Sequence, residues 1–241
     1  MEPSGKLNVL SSMSFFENAM DTSIVYTGAQ EFEKKEDYLF IVKDDSQNEG
    51  QKRLFLAKAG DRFVEAKFST NEELKDFHVA EVSKDGQIMI VVNHSPNKSN
   101  LYISDRISLH QAEFSLSLEN IMYYAPGITW RSSWLEKIDS GDESHFADLY
   151  KVAGLKGVYI ASQISPGVRE EEIRPSNVTT LITFDSGAEW TRVEGPRNDT
   201  QGFPIAGCHQ VIEHFVIMII ISYYINCKSL IFYRKLKRSV H

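Results

Sequence analysis

The stretch that decides the fold of this chain is Leu181-Ile-Thr-Phe-Asp-Ser-Gly-Ala-Glu-Trp190. It matches the Asp-box pattern of a hydroxyl residue, an aspartate, a glycine and an aromatic residue, here Thr183, Asp185, Gly187 and Trp190. We expect the aspartate to accept hydrogen bonds from amides of its own turn, and the glycine to adopt a backbone conformation that a Cβ would strain. We expect the aromatic ring to pack between sheets. The motif therefore predicts a structural β-hairpin and indicates no catalysis.

Two further copies of this pattern precede it. Residues 54–63 align with residues 181–190 without a gap, with glycine seventh and an aromatic residue tenth, although Lys58 replaces the aspartate. A third copy begins at Leu101, 47 positions after Leu54, and has a longer connection before Phe114. A repeat of about 40 to 50 residues built from short strands is typical of propeller blades. The repetition therefore favours a propeller over a sandwich or a barrel.

Short apolar runs separated by turn residues fill the chain from residue 37 to residue 193. They are rich in β-branched and aromatic residues, as strands are, and comprise residues 38–42, 54–56, 77–82, 88–92, 101–103, 114–118, 157–161 and 179–184. Lys84-Asp85-Gly86 between two of these runs is a hairpin signal. The sequence therefore predicts an all-β fold, an incomplete β-propeller of about three blades. We expect Phe63, Phe114 and Trp190 to be buried in it.

The composition excludes several classes of protein. With 26 basic and 33 acidic residues among 241, the net charge of −7 argues against nucleic-acid binding. Two cysteines, Cys208 and Cys227, are too few for a disulfide-rich scaffold. The charged runs 31–37, 142–143 and 170–172 are expected to be solvated loop surface. No metal-ligand spacing, nucleophile motif or phosphate-binding glycine loop occurs, so we expect no metal, no cofactor and no catalytic residue.

The two ends of the chain differ from the middle. We expect residues 1–28 to be a partial blade or disordered, residues 29–205 to form the blades, and residues 206–241 to be a divergent apolar and basic tail. Residues 215–233 are a candidate membrane segment with a basic flank, interrupted by Asn226 and Lys228. The alternative is that this tail is the end of a truncated product.

Four sequons point to the secretory pathway, namely those at Asn93, Asn97, Asn177 and Asn198, the candidate N-glycosylation sites. No export signal is visible at the N-terminus, where Glu2 and Pro3 stand in place of a basic region. One hypothesis reconciles the two observations: the chain is an internal piece of a larger secretory protein.

Four stretches resemble one protein family, the sortilin family of vacuolar-protein-sorting receptors. They are Phe114-Ser-Leu-Ser-Leu-Glu-Asn-Ile-Met-Tyr-Tyr-Ala-Pro-Gly127 and residues 100–105, 146–161 and 181–190. The resemblance runs from about residue 29 to residue 196 and is greatest to the member with low-density-lipoprotein-receptor-type repeats.

The resemblance implies a non-enzymatic sorting receptor that moves between the Golgi, endosomes and the cell surface. Its ten-bladed luminal propeller would bind peptide or protein cargo on the inner wall and rim of a tunnel, and this chain would supply a fragment of that ring. Membrane association would come from the tail or from the parent receptor. No ligand contact is transferred residue by residue, because no family ligand motif matches here.

Two tryptophans stand in an otherwise polar, turn-like insertion, residues 126–144. Trp130, Arg131 and Trp134 are candidates for ligand anchors on the tunnel rim, since tryptophan and arginine are enriched at binding hot spots. The alternative is that both rings fold back onto the neighbouring blade as a small core.

The sequence is also compatible with two alternatives to a receptor. Asp-box propellers include sialidases, which need three converging arginines and a Tyr-Glu nucleophile pair. Arg106, Arg131, Arg169 and Arg174 stand in predicted loops, but the sequence does not bring them together. The third hypothesis is a truncated, non-functional product, because three blades expose two sheet faces that a closed ring buries.

Overall fold

A computed structural model describes residues 6–12, 14–96, 98–107, 111–124, 146–169 and 172–193, together with 198, 203, 210–211 and 230–231. The chain divides into two compact units, Met1–His94 with Tyr102–Leu116 and Ser95–Leu101 with Ser117–His241. The described helices are two short 3₁₀ turns, Ala19–Asp21 and Pro175–Asn177, and the other elements are strands. The predicted all-β class is therefore confirmed.

The strands follow one another in short steps along the chain. Their bounds are β1 Leu7–Ser11, β2 Ser23–Ala29, β3 Glu31–Lys35, β4 Tyr38–Asp44, β5 Lys52–Lys58, β6 Val64–Phe68, β7 Asp76–Val82, β8 Ile88–Ser95, β9 Lys98–Ile107, β10 Ala112–Leu118, β11 Tyr123–Tyr124, β12 Phe146–Ala147, β13 Leu149–Lys151, β14 Tyr159–Ile164, β15 Val178–Thr183, β16 Thr191–Arg192, β17 Gln210–Val211 and β18 Leu230–Ile231. Each run predicted between residues 38 and 184 corresponds to one of these strands.

Three sets of four consecutive strands recur, as an incomplete propeller of about three blades requires. The strand orders are β3-β4-β5-β6, β7-β8-β9-β10 and β13-β14-β15-β16. The three sequence repeats begin on the third strand of each set: Leu54 lies on β5, Leu101 on β9 and Leu181 on β15. In each case the repeat runs on toward the fourth strand. The ten-residue pattern therefore marks the same connection in all three blades.

The first two blades join into one eight-stranded sheet through their fourth strands. Strands β6 and β10 pair in parallel, with Ala112 opposite Ala66 and Phe114 opposite Phe68. The sheet then ends in β3 on one side and in β7 on the other.

An aromatic cluster forms the core of these two blades. The Phe68 ring lies 5.1 Å from the Phe114 ring, 5.5 Å from Phe77 and 5.2 Å from Tyr102, measured between ring centroids. Phe114 is 1% exposed, as the sequence predicts. Phe63 and Trp190 are only half-buried, because both stand in turns at a blade edge. Burial of these rings removes apolar surface from water and so contributes to the stability of the two blades.

Strands β1 and β2 form a hairpin that packs on the first blade. They pair antiparallel, with Val9 opposite Tyr26. The Tyr26 ring lies 5.7 Å from Phe55 and 5.4 Å from Phe63, between ring centroids. Stacking of one apolar strand surface on another is the arrangement that propeller blades share.

One prediction about the surface is wrong. The charged run 31–37 was expected to be a solvated loop, but Glu31–Lys35 forms β3 and pairs with β4 over five residues. Backbone hydrogen bonds to β4 override the polar composition, and charged side chains are tolerated because β3 is an edge strand.

The second unit has its own smaller core, formed by Met122, Tyr124, Ile164, Ile173 and Val178. Strand β17 pairs with β18 in parallel, Gln210 opposite Leu230. Within the described residues no helix is long and apolar enough to cross a membrane. The candidate segment 215–233 lies outside the described residues, apart from positions 230 and 231.

Candidate ligand-binding surface

The first strand of each blade lies at the end of its sheet. Strands β3, β7 and β13 each have a strand neighbour on one side only in the described sheets. An edge strand presents backbone N–H and C=O groups that another extended chain can pair with. These three strands, like β16 at the other end of the third set, are therefore candidate backbone docking positions.

A groove opens between two of these edges, and we call it the β3–β7 groove. Its cavity has a volume of about 80 Å³ and is lined by Glu31, Phe32 and Glu33 of β3, Phe77 and Val79 of β7, and Phe40, Val42 and Leu54. The floor is apolar, since Phe40, Leu54 and Val79 are at most 3% exposed. The groove thus combines an apolar floor with carboxylates at its mouth.

Two glutamates of β3 lie on the same face of the sheet as buried apolar residues of β4. Glu31 stands opposite Val42 and Glu33 opposite Phe40 in the antiparallel register. Directly opposite residues of an antiparallel pair lie on the same face. Phe40 and Val42 belong to the buried core, so the two glutamates border that core.

Lysines engage the polar groups at both ends of the groove. Lys52 Nζ lies 3.0 Å from a Glu31 carboxylate oxygen and 2.8 Å from a carboxylate oxygen of Asp76. Burial lowers the pKa of Lys52, but its hydrogen bonds and attraction to Asp76 and Glu31 outweigh burial and raise it. Lys35 Nζ donates to the carbonyl oxygens of Val79 at 2.6 Å and Ala80 at 2.9 Å. These carbonyls belong to an irregularity of β7 between Val79 and Glu81.

Glu33 lies between these two anchored ends. Burial of part of its side chain raises its pKa, while Lys35 lowers it and Glu31 raises it further. In the part of the chain that the structure describes, its carboxylate accepts no hydrogen bond. Glu33 is exposed on this edge strand, so its carboxylate is accessible to a cation from solution.

A second cavity, of about 210 Å³, opens beside the β5–β6 turn. It is lined by Tyr38, Leu56, Ala57, Lys58, Asp61, Arg62, Val64 and Ile107. Its charged residues, Lys58, Asp61 and Arg62, are all exposed. Exposed charges of both signs give this cavity no defined ligand preference.

The predicted Asp-box residues meet in one turn between β15 and β16. Thr183 Oγ1 donates to Asp185 Oδ1 at 2.7 Å and accepts from the Gly187 amide at 3.0 Å. Asp185 Oδ1 also accepts from the Glu189 amide at 3.0 Å. The hydrogen bonds from Thr183 and Glu189 hold the pKa of Asp185 below its usual value. Gly187 has a φ of +92°, a conformation that favours glycine.

The predicted rim residues Trp130, Arg131 and Trp134 lie outside the described residues. The strands on either side of their segment are described: Tyr123 and Tyr124 of β11 pair with β12. We call this pair of strands the stem. Both tyrosines are buried, at 1% and 7% exposure. The stem is tied to the third blade, since the Met122 amide donates to the Ser162 carbonyl at 2.8 Å.

The candidate glycosylation sites differ in accessibility. Asn93 is 1% exposed within β8, which leaves no space for a glycan on this strand and argues against that candidate. Asn97 lies outside the described residues. Asn177 ends a 3₁₀ turn and accepts a hydrogen bond from the Arg174 amide at 3.1 Å. Asn198 is exposed.

The arginines considered for a sialidase-like site are engaged locally where the structure describes them. Arg169 Nε donates to Glu172 at 3.1 Å, three residues along the chain. Arg174 Nη1 donates to the Ile173 carbonyl at 2.7 Å. The side chains of Arg106 and Arg131 lie outside the described set. Among the described residues, no three His, Cys, Asp or Glu side chains are grouped to hold a metal ion.

Comparison with known proteins connects this architecture to a receptor family. A model of the Sortilin-Vps10 family, described as sortilin, neurotensin receptor 3, matches residues 1–214. The chain is 32% identical over 199 residues to the Homo sapiens sortilin-related receptor. The aligned region covers 81% of this chain and 8% of that receptor. It is 27% identical to the Mus musculus VPS10 domain-containing receptor SorCS1, covering 71% of this chain and 12% of the relative.

A fungal relative and a solved structure complete the comparison. The vacuolar protein sorting/targeting protein 10 of Talaromyces marneffei is 22% identical over 71% of this chain and 10% of its own length. The chain thus spans about a tenth of the curated relatives it matches. A GH43 beta-1,3-galactosidase structure covers 83% of this chain and 52% of its own, at 9% identity and a TM-score of 0.27. That score is too low to support a conclusion.

Proposed function

This chain belongs to the Sortilin-Vps10 family, and we propose from that premise that it forms part of a sorting-receptor propeller that binds peptide or protein cargo. The relatives named above are called receptors or a sorting/targeting protein. By the same premise, we propose that the chain acts in Golgi-endosome trafficking and has no enzymatic activity.

The observation that supports cargo binding best is the position of the edge strands. Each blade begins with a strand that has a neighbour on one side only in the described sheets, as β3 and β7 do. An extended peptide that adds to such an edge gains main-chain hydrogen bonds without a change in the fold. Pockets for its alternate side chains then provide specificity, and the β3–β7 groove is one such pocket.

Trp130, Arg131 and Trp134 are proposed as a second set of contacts. Their segment leaves from the buried stem formed by β11 and β12. A rigid stem limits the conformational entropy that a binding segment loses when its ligand arrives. The two indole rings would stack on the peptide, and the guanidinium would pair with a carboxylate or a carbonyl group.

The proposal also assigns a compartment. Cargo binding in the lumen of the Golgi and endosomes agrees with sequons at Asn97, Asn177 and Asn198, where glycans would be attached. Membrane association would come from residues 215–233 or from other parts of the receptor.

The test is selection of peptides on the full chain. A display library of random heptapeptides is panned on the purified chain, and affinities of the selected peptides are measured by calorimetry. We expect defined sequences to bind, and we expect the double variant Trp130→Ala, Trp134→Ala to weaken binding by about 1–2 kcal/mol. Phe184→Ala removes an aromatic ring that is 67% exposed elsewhere and is the matched control.

Two results contradict the proposal in different ways. Selection of no peptide above the background of an unrelated β protein would contradict cargo binding itself. Unchanged affinity with a lowered unfolding temperature in the tryptophan double variant would show that the rings pack against the blade.

A further inference from the structure

We infer that the β3–β7 groove receives one basic side chain, arginine or lysine, of an extended peptide, and that Glu33 is its ion-pair partner. This inference rests on the proposed cargo-binding function and names the chemical class of cargo that this edge selects. It is carried by the shape of the groove, by the charges along β3 and by the way those charges are already engaged.

The groove has the form that a long basic side chain needs. It is a small cavity of about 80 Å³, lined by residues of β3 and β7. The floor residues Phe40, Val42 and Phe77 are 2–6% exposed, so they form an apolar surface on which methylene groups pack. Arginine and lysine bury their stems against such surfaces while the charged end remains at a polar mouth.

The charges at the mouth favour a cation over a neutral or acidic side chain. Glu31 is already bound by Lys52 at 3.0 Å, and Lys52 is shared with the buried Asp76. Lys35 donates to two carbonyl oxygens of β7. Glu33 lines the groove and is exposed, and it is therefore the carboxylate of this row that we assign to pair with an incoming cation.

The geometry of β3 explains why one side chain is selected and not several. Side chains of an extended peptide alternate between its two faces, so neighbouring residues of the peptide point away from the groove. Lys35 closes one end through Val79 and Ala80, and the pair Lys52–Asp76 closes the other. The cargo predicted here is an extended segment with one buried basic residue.

The experiment compares selected peptides on four versions of the full chain. The random heptapeptide library is panned on the wild type, Glu33→Gln, Glu33→Lys and the control Glu49→Lys, which alters an exposed carboxylate in the β4–β5 turn. We expect arginine and lysine to be enriched about fivefold at one position on the wild type and on the control. We expect this enrichment to disappear on Glu33→Gln and to be replaced by aspartate or glutamate on Glu33→Lys.

The outcomes separate this inference from the proposal on which it rests. Peptides that bind the wild type but show no basic preference, or the same preference on Glu33→Gln and Glu33→Lys, would overturn the groove assignment and leave cargo binding intact. Absence of any selected peptide would contradict both. If Glu33→Lys does not fold, as judged by its unfolding transition, the nearly isosteric Glu33→Gln decides the question alone.

Discussion

The indole Nε1 of Trp190 donates a 3.0 Å hydrogen bond to the hydroxyl of Ser117, which lies 73 positions earlier in the chain. The same hydroxyl donates to the carbonyl of Gly187, within the turn that ends at Trp190. A serine on β10 therefore holds both the aromatic residue and the glycine of the β15–β16 turn. The turn is stabilised by a long-range contact as well as by its own residues.

A double-mutant cycle tests this contact. Trp190→Phe and Ser117→Ala each remove the hydrogen bond, and each is expected to lower the free energy of unfolding by at least about 1 kcal/mol. Ser117→Ala should cost more than Trp190→Phe, because it also removes the hydrogen bond to the Gly187 carbonyl. The double variant should lose little more than Ser117→Ala alone, because the Trp190–Ser117 bond is already absent there. Urea unfolding followed by circular dichroism gives the four values. Additive losses would show that the two side chains stabilise the chain independently.

The carboxylate of Asp185 makes the stability of the third blade sensitive to acid. Its pKa is lowered in the folded state, so its stabilising contribution is present above the unfolded value of 3.8 and is lost as the pH falls through the lowered pKa. Asp185→Asn should therefore unfold at a lower temperature than the wild type at pH 7. The difference should shrink in the range below about pH 4.

The matched control is Asp61→Asn, an exposed aspartate in the β5–β6 turn. A difference between Asp185→Asn and the wild type that persists unchanged at low pH would contradict the assigned hydrogen bonds. Thermal unfolding across a pH series provides the measurement.

Glu33 is expected to behave in the opposite way. Its pKa is raised in the folded state, so it destabilises the fold at pH values above that pKa, and the penalty is relieved as the pH falls through it toward 4.5. Glu33→Gln should unfold at a slightly higher temperature than the wild type at pH 7. The gain should diminish on acidification, whereas Glu49→Gln should show none. A lower unfolding temperature for Glu33→Gln at pH 7 would mean that its ionised carboxylate is stabilised by partners within the chain.

The chain is expected to show no hydrolase activity. The described arginines Arg169 and Arg174 bind a neighbouring carboxylate and a neighbouring carbonyl, respectively. Incubation with sialosides and simple aryl glycosides should release no product above the buffer rate. Turnover that is abolished by Arg131→Lys would instead favour the glycosidase hypothesis over the receptor hypothesis.

The sequence predicted the class and the repeat because both depend on local patterns. The apolar runs that became β4, β5, β8 and β15 are bounded by turn residues, and the hairpin at Gly86 was evident from Lys84-Asp85-Gly86. Gly86 has a φ of +85°, which explains why glycine stands there.

Strand β3 could not be predicted in the same way. Glu31-Phe-Glu-Lys-Lys35 has the composition of a surface loop, and its strand conformation comes from pairing with β4. The groove that we assign depends on Lys35 reaching the carbonyl of Val79, 44 positions away. No local pattern encodes such a contact, so the sequence alone does not predict the β3–β7 groove.

The central claim is that peptide cargo binds at the edges β3 and β7. Amide hydrogen exchange of the full chain, with and without a saturating selected peptide, tests it most directly. We predict slower exchange confined mainly to Glu31–Lys35 and Asp76–Val82, because new main-chain hydrogen bonds protect the amides of an edge strand. A bound peptide that leaves exchange at both strands unchanged would contradict the account.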